Sequence, residues 1–356
     1  MSFTETDRQH MSRALQLAAR GLNTTTPNPR VGCVLVKADA VVGEGWHEWA
    51  GEAHAEVHAL RDAGAAARGA TAYITLEPCV HHGRTPPCAD ALIEAGVTRV
   101  IAAMRDPNPL VAGQGFIRLQ QAGITVETGL LDAEAEALNI GFVSRMTRGR
   151  PWLRLKIAAS LDGKTALLNG RSQWITGAEA RRHAHGWRAR SCAIMTGSGT
   201  IIADDPSLTV REVPCMRQPL RIVIDSRLQT PPNAKILTGT GALIFTAQTG
   251  SLPNAEIIAL PDATGKVDLA GAMAELGRRG INELLVEGGT RLNGALLRAG
   301  LVDELLIYQA PLLIGDQAQG MFDLPETLSL TEARQLDIIE RCQLGRDTFL
   351  RARLCS

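Results

Sequence analysis

Apolar and polar positions follow two alternating patterns along the first hundred residues. Segments with helical spacing are separated by short apolar runs of five to seven residues, which are typical of buried strands. The patterns predict helices over residues 7–20, 54–63 and 88–95, and strands over residues 31–36, 72–76 and 97–103. This order favours βαβ units with parallel strands, whose ligand sites lie at the carboxyl ends of the strands.

The pattern breaks near residues 146–151, where polar, charged, Gly and Pro residues precede a new apolar run. A chain of 356 residues is long enough for two hydrophobic cores. We therefore predict two domains, 1–148 and 149–356. The second half again mixes both element types, with strands predicted over 193–196, 220–224, 242–245, 283–286 and 304–308, and a helix over 290–299.

The charge balance bears on the class of partner. Lys plus Arg and Asp plus Glu number 37 each, so no overall basic field favours nucleic acid or an anionic membrane. The polar N-terminus and the absence of a membrane-length apolar run predict a cytoplasmic protein. Seven scattered cysteines do not resemble a disulfide framework. The expected partner is a small molecule.

Residues 76–88 concentrate two cysteines, two histidines and three prolines. Together with the upstream His54, Cys79 and Cys88 could bind zinc and leave one position open for water, which is the arrangement of a catalytic site. Glu56 would then move a proton between that water and a departing amine. A structural zinc knot is the alternative, although such a site has no need of a carboxylate two residues from its histidine.

The spacing differs from the common deaminase signature, in which Pro-Cys is followed by a second Cys after two residues. Here eight residues separate Cys79 from Cys88. Because Cys88 begins a predicted helix, its thiolate can still point at the ion from the helix N-terminus. His81 and His82 in the longer loop are weaker candidates for substrate or metal contact. Asn28 could present its amide to a heterocycle or could serve as a turn residue.

The segment 284–294 is the main chemical signal of the second half. It runs from an apolar strand through two glycines into an amphipathic helix, and so offers backbone amides to a phosphate. It does not match the G-x-G-x-x-G pattern. Taken alone, the segment fits an ordinary turn about as well as it fits a phosphate-binding site.

The motifs together resemble a known family. His54-Ala-Glu56 and residues 76–88, with 26–32 before them and 106–113 after them, are closely similar to the bifunctional riboflavin-biosynthesis deaminase/reductases. The reductase half of the same family is matched in order by residues 155–165, 172–176, 188–190, 200–211 and 224–227.

The resemblance implies a cytidine-deaminase-like α/β/α domain followed by a dihydrofolate-reductase-like α/β domain. Zinc would serve deamination of a diaminopyrimidinone ribosyl phosphate, and NADPH would serve reduction of its ribosyl group. It also implies a homodimer. The implied cofactor-binding residues are Ala158, Trp174, Thr200, Asp204, Ser226, Gly289, Thr290, Arg291, Leu292, Asn293, Gly294 and Ala295, and the implied substrate-binding residues are Ser172, Arg188, Leu208, Arg211 and Glu287.

Some assignments stay open at this level. Two arginines suit a sugar phosphate, because guanidinium makes directed charge-assisted bonds to its oxygens. Lys156 or Asp204 could assist proton movement in the reductase. A tRNA-editing deaminase and a scaffold with a structural zinc are rival interpretations. The charge balance and the low aromatic content, with five Trp, two Tyr and six Phe, argue against the first, and Glu56 argues against the second.

Overall fold

The computed structural model describes residues 3–80, 87–109, 111–326 and 329–355. The chain separates into two compact units, Met1–Gly149 and Arg150–Ser356. Within the described ranges, no helix is both long enough and apolar enough to cross a membrane.

The N-terminal unit is built on a mixed five-stranded sheet with helices packed against it. Its described strands are β1 (Gly32–Lys37), β2 (Ala40–Trp46), β3 (Thr71–Leu76), β4 (Arg99–Met104) and β5 (Thr125–Thr128), in the order β2-β1-β3-β4-β5. Its described helices are α1 (Glu5–Arg20), α2 (Ala55–Ala63), α3 (Cys88–Glu94), α4 (Gln114–Gln121), α5 (Asp132–Leu138) and α6 (Ile140–Arg148).

The predicted parallel pairing of the first two apolar runs is wrong. β1 pairs antiparallel with both β2 and β3, whereas β3, β4 and β5 are parallel to one another. The sequence analysis overlooked β2, which a tight turn connects to β1 through Ala38 and Asp39, both with positive φ. α2 therefore links β2 to β3, and these two strands run in the same direction on either side of β1.

Two glycines interrupt the apolar pattern of β2, so the sequence does not indicate a strand there. The same glycines explain how α2 packs against β2. A Cβ on Gly43 would lie 2.3 Å from the Ala59 carbonyl oxygen, and one on Gly45 would lie 2.4 Å from the Ala55 carbonyl oxygen. The backbone of α2 thus rests directly on β2, which only glycine permits.

A charged cluster fastens α1 to the sheet. Thr4 and Asp7 form a capping box at the start of α1. The same Asp7 carboxylate accepts hydrogen bonds from the Tyr73 hydroxyl at 2.8 Å and from Arg99 at 3.1 Å. The Asp7 side chain is buried, so its charge depends on these hydrogen bonds more than on water.

The C-terminal unit contains a nine-stranded sheet in the order β11-β10-β9-β8-β12-β6-β13-β16-β15 and a small pair, β14-β7. The strands are β6 (Trp152–Ser160), β7 (Lys164–Ala166), β8 (Ala193–Gly197), β9 (Leu220–Ile224), β10 (Ala242–Thr246), β11 (Ala255–Ala259), β12 (Glu283–Val286), β13 (Glu304–Ala310), β14 (Gln319–Gly320), β15 (Leu336–Leu344) and β16 (Asp347–Leu354). The described helices are α7 (Ala178–Arg190), α8 (Ser198–Asp204), α9 (Leu269–Arg278) and α10 (Thr290–Arg298).

Seven strands, from β11 to β13 in the sheet order, are parallel, and β16 and β15 add an antiparallel hairpin at one edge. On three neighbouring central strands, the buried Arg154 of β6 pairs with the carboxylates of Glu283 on β12 and Glu304 on β13. Arg190 also pairs with Glu283 at 2.7 Å. These partners balance charges that would be costly to bury alone.

Candidate active sites

Three side chains in the N-terminal unit converge as the motif predicted. His54 immediately precedes α2, Cys79 lies three residues after β3, and Cys88 is the first residue of α3. The His54 Nδ1 atom lies 3.2 Å from Cys88 Sγ and 3.6 Å from Cys79 Sγ. All three candidate ligand atoms lie within 4.8 Å of one another. One imidazole and two thiols form a donor set that fits zinc and leaves room for a fourth ligand.

The two thiols are strongly coupled. Hydrogen bonds from the Cys88 thiol and from His54 lower the pKa of Cys79 to about 4, and burial opposes them. The pKa of Cys88 rises, because Cys88 keeps the proton that it shares with Cys79 and is itself buried. The backbone amide of Cys88 also lies 3.4 Å from Cys79 Sγ. The lowered pKa of Cys79 favours its thiolate, the form in which cysteine binds metal.

Glu56 lies in the first turn of α2, two residues after His54, and is buried. Burial and the nearby Cys79 raise the pKa of Glu56 to about 7, although His54 opposes the shift. A carboxyl group with a pKa near neutrality can both accept and return a proton at physiological pH.

Asn28 lies beside this cluster and is oriented by a histidine that the sequence analysis did not identify. His47 Nδ1 lies 3.0 Å from the Ala53 carbonyl oxygen, and His47 Nε2 lies 3.1 Å from the Asn28 amide nitrogen. The ring therefore donates to Ala53 and accepts from Asn28. Burial lowers the pKa of His47, which keeps the ring neutral. Its ring centroid is 5.3 Å from that of His54.

Glu77, two residues before Cys79, binds both ends of the motif at residues 106–113. The buried Glu77 carboxylate accepts hydrogen bonds from the amides of Asp106, Gly113 and Gly115, at 3.1, 2.9 and 2.9 Å. Two candidate loops of the site are thereby connected at a single side chain. His81 and His82 lie outside the described residues.

A cleft of 1130 Å³ in the C-terminal unit gathers most of the predicted reductase residues. Gly294 does not line it and packs instead against the Asp323 backbone. The predicted residues that do line it are Ala158, Ser172, Trp174, Arg188, Thr200, Asp204, Leu208, Arg211, Ser226, Glu287, Gly289, Thr290, Arg291, Leu292, Asn293 and Ala295.

Arg188 and Glu287, both predicted to hold substrate, bind each other in the structure. Two bonds of 2.5 and 2.9 Å join the guanidinium to the carboxylate. Lys156 Nζ lies 3.8 Å from the same carboxylate. Burial alone would raise the pKa of Glu287, but Arg188 and Lys156 outweigh it and lower that pKa to about 2. Burial lowers the pKa of Lys156, the Glu287 carboxylate opposes this shift, and Arg188 reinforces it.

Arg211 belongs to a loop with fixed backbone and an exposed side chain. Its amide donates to His185 Nδ1 at 3.1 Å. The Gln218 side chain pairs with both the amide and the carbonyl of Val210, at 2.8 and 3.1 Å. Burial lowers the pKa of His185 to about 4, so the ring stays a neutral acceptor. His185 and Gln218 carry no sequence signal, since their partners lie 26 and 8 residues away.

The glycine turn before α10 has its predicted form. Gly289 is the residue before the helix, and both Gly288 and Gly289 line the cleft. A Cβ on Gly288 would come within 2.9 Å of Asn293. The side chains of Thr290 and Asn293 bind backbone carbonyls of Gly320 and Met321. Their contribution to a ligand would therefore come from the backbone of the turn.

Comparison with known proteins identifies both halves. Residues 4–104 match the cytidine and deoxycytidylate deaminase zinc-binding region, and residues 151–350 match the RibD C-terminal domain. The chain is 52% identical to riboflavin biosynthesis protein RibD of Escherichia coli over 97% of this chain and 98% of that protein. The corresponding Haemophilus influenzae protein is 49% identical over 98% of both chains.

Solved structures agree with the sequence comparison. A crystal form of Acinetobacter baumannii RibD superposes with a TM-score of 0.94 at 42% identity, covering 99% of both chains. A Thermotoga maritima diaminohydroxyphosphoribosylaminopyrimidine deaminase/5-amino-6-(5-phosphoribosylamino)uracil reductase gives 0.90 at 31% identity, covering 98% of this chain and 99% of that one. The predicted α/β fold of both halves is confirmed. The chain belongs to the RibD family, and it is a bifunctional deaminase and reductase of riboflavin biosynthesis.

Proposed function

We propose that the N-terminal unit deaminates 2,5-diamino-6-ribosylamino-4(3H)-pyrimidinone 5′-phosphate and that the C-terminal unit then reduces the ribosyl group. The product would be 5-amino-6-(5-phosphoribitylamino)uracil. The observation that carries this proposal is the buried Glu56 beside the convergence of His54, Cys79 and Cys88. The cofactors are zinc for the first reaction and NADPH for the second.

His54, Cys79 and Cys88 would hold the zinc ion. When bound, zinc supplies a Lewis acid that lowers the pKa of water. Glu56 takes the proton from the attacking water and gives it to the amine that leaves as ammonia. Its carboxyl group is buried in the first turn of α2, two residues from His54, which places it for both transfers. Asn28, oriented by His47, presents an amide to the pyrimidine ring.

In the reductase, the turn of Gly288 and Gly289 would hold NADPH, which would supply a hydride for C1 of the ribosyl group. Lys156 donates a proton to the ring oxygen released when the bond from C1 to that oxygen breaks. Burial lowers the pKa of Lys156, which makes its ammonium a stronger acid. Arg188 positions Glu287, and the exposed Arg211 guanidinium is the better partner for the substrate phosphate.

Mass spectrometry of the purified chain with the diaminopyrimidinone substrate tests both reactions. Exchange of an amino group for oxygen is expected without NADPH, and a further gain of two hydrogens with NADPH. Glu56→Gln should stop deamination while zinc stays bound, as measured by plasma mass spectrometry. Glu52→Gln, which changes an exposed acid nearby, is the matched control. Full turnover by Glu56→Gln would contradict the assigned role.

The remaining expectations also belong to this proposal. We infer a homodimer, testable by light scattering during size exclusion, and a cytoplasmic location, testable by cell fractionation. The partners are the pyrimidine ribosyl phosphate and NADP(H), with no nucleic acid and no membrane.

A further inference from the structure

Two cations that line the reductase cleft make no hydrogen bond or close ion pair within the described ranges, although Lys266 is attracted to the Asp262 carboxylate of its own turn. Arg227 lies three residues after β9, and Lys266 ends the turn at residues 261–266. Both line the cleft and are exposed. Neither the guanidinium of Arg227 nor the ammonium of Lys266 makes a hydrogen bond or a close ion pair with any residue in the described ranges.

The loops that carry these cations are fixed to each other. The Val267 amide donates to Ser226 Oγ at 3.0 Å, which ties the end of β9 to the turn. Inside the turn, Asp262 Oδ1 accepts from the amides of Thr264 and Lys266, at 2.7 and 2.9 Å. Arg227 and Lys266 are therefore held on one rim, with their charged ends available to a ligand.

Two carboxylates are described at this rim, Asp225 and Asp262, and Asp225 Oδ1 makes no hydrogen bond within the described ranges. Asp225 is fully buried, and its Oδ2 accepts from the amide and the hydroxyl of Thr230, both at 2.7 Å. Asp262 is used within its own turn. In doubly wound sheets, an acidic residue near this position binds the ribose 2′-hydroxyl of NADH, whereas an arginine accommodates the 2′-phosphate of NADPH.

The position along the cleft also suits a dinucleotide. The glycine turn after β12 offers amides to the pyrophosphate, and β9 is the second strand from β12 in the sheet. Two strand spacings amount to roughly 10 Å. This is the span of one nucleoside, so the rim lies where the adenosine ribose would arrive.

We propose that Arg227 and Lys266 bind the 2′-phosphate of NADPH and make the reductase select NADPH over NADH. The inference rests on the proposed function, because it requires a dinucleotide in this cleft. Direct charge-assisted bonds from two cations to one phosphate supply the discrimination. NADH, which lacks that phosphate, gains nothing from either side chain.

Isothermal titration calorimetry of the full chain tests this with NADP⁺ and NAD⁺, and with adenosine 2′,5′-bisphosphate and adenosine 5′-phosphate as smaller probes. Arg227→Ala and Lys266→Ala should each raise the Kd for NADP⁺ roughly tenfold, the lower range for a bond to a charged group. The Kd for NAD⁺ should stay within twofold. Lys235→Ala, which removes an exposed lysine outside the cleft, should change neither.

Salt provides a second readout. Raising the ionic strength should weaken NADP⁺ binding more than NAD⁺ binding, and this difference should disappear in the double variant. The proposal is overturned if the double variant keeps its NADP⁺ affinity within twofold, or if it loses both dinucleotides equally. If the wild-type chain binds neither dinucleotide, the proposed reductase function fails as well, so the two failures are distinguishable.

Discussion

Replacing Asp7 by Asn should destabilise the N-terminal unit in a way that depends on pH. The carboxylate accepts from the Thr4 amide at 2.9 Å, the Thr4 hydroxyl at 2.7 Å, Tyr73 at 2.8 Å and Arg99 at 3.1 Å. Burial would raise the pKa of Asp7, but these bonds outweigh it and lower that pKa from 3.8 to about 2. At roughly 1.4 kcal/mol per pKa unit, the charged form contributes on the order of 2 kcal/mol.

The sign of the pH dependence follows from the direction of the shift. Because the folded-state pKa is lowered, the stability is present above the unfolded-state value near 3.8 and is lost as pH falls toward 2. Asp7→Asn should therefore cost about 2 kcal/mol at pH 7 and roughly half as much at pH 3.

Urea unfolding of both proteins at pH 7 and pH 3 measures this difference. Hydrogen exchange at pH 7 should locate the loss in peptides from α1 and β3, because the bonds of Asp7 connect those elements. Glu5→Gln is the control, since it removes an exposed charge from the same helix turn and should cost under about 0.5 kcal/mol. An equal deficit at both pH values would refute the electrostatic account.

Three further predictions concern the two active units and the buried charges. Removing zinc with a chelator should stop ammonia release but leave the NADP⁺ Kd within twofold by calorimetry; a lost affinity for NADP⁺ would show that the metal supports both units. Lys156→Met should lower the kcat of reduction about 100-fold with an unchanged NADP⁺ Kd, and an effect on KM alone would argue against proton donation. Arg154→Met, which leaves Glu283 and Glu304 buried with fewer partners, should cost about 3–5 kcal/mol in urea unfolding; an unchanged midpoint would contradict that expectation.

The metal cluster could be predicted from the sequence, because the helix or strand next to each ligand has a clear signal in its local sequence. Cys79 follows an apolar strand, and Cys88 and His54 each stand at the start of a helix. The motif therefore specifies both the ligands and the secondary structure that brings them together.

Other features were not predictable because their signals are not local. β2 contains two glycines and a glutamate, and its register depends on contact with α2. The pairing of Arg188 with Glu287 joins residues 99 positions apart. The sequence around Arg188 or Glu287 does not indicate whether its side chain will contact the substrate or pair with the other residue. The hairpin of β15 and β16 is largely exposed on its outer strand and thus lacks a clear apolar pattern.

The glycines of β2 have a consequence for mutational tolerance. Gly43 and Gly45 contact no candidate ligand, yet they set how closely α2 approaches the sheet. His54 and Glu56 stand at the start of that helix, so a methyl group added at either glycine would displace the metal ligand and the proton carrier together. In a saturation mutagenesis experiment, these two strand positions should be as intolerant as the ligands themselves. An engineer who wishes to reshape the deaminase pocket should therefore leave β2 unchanged and vary the loops instead.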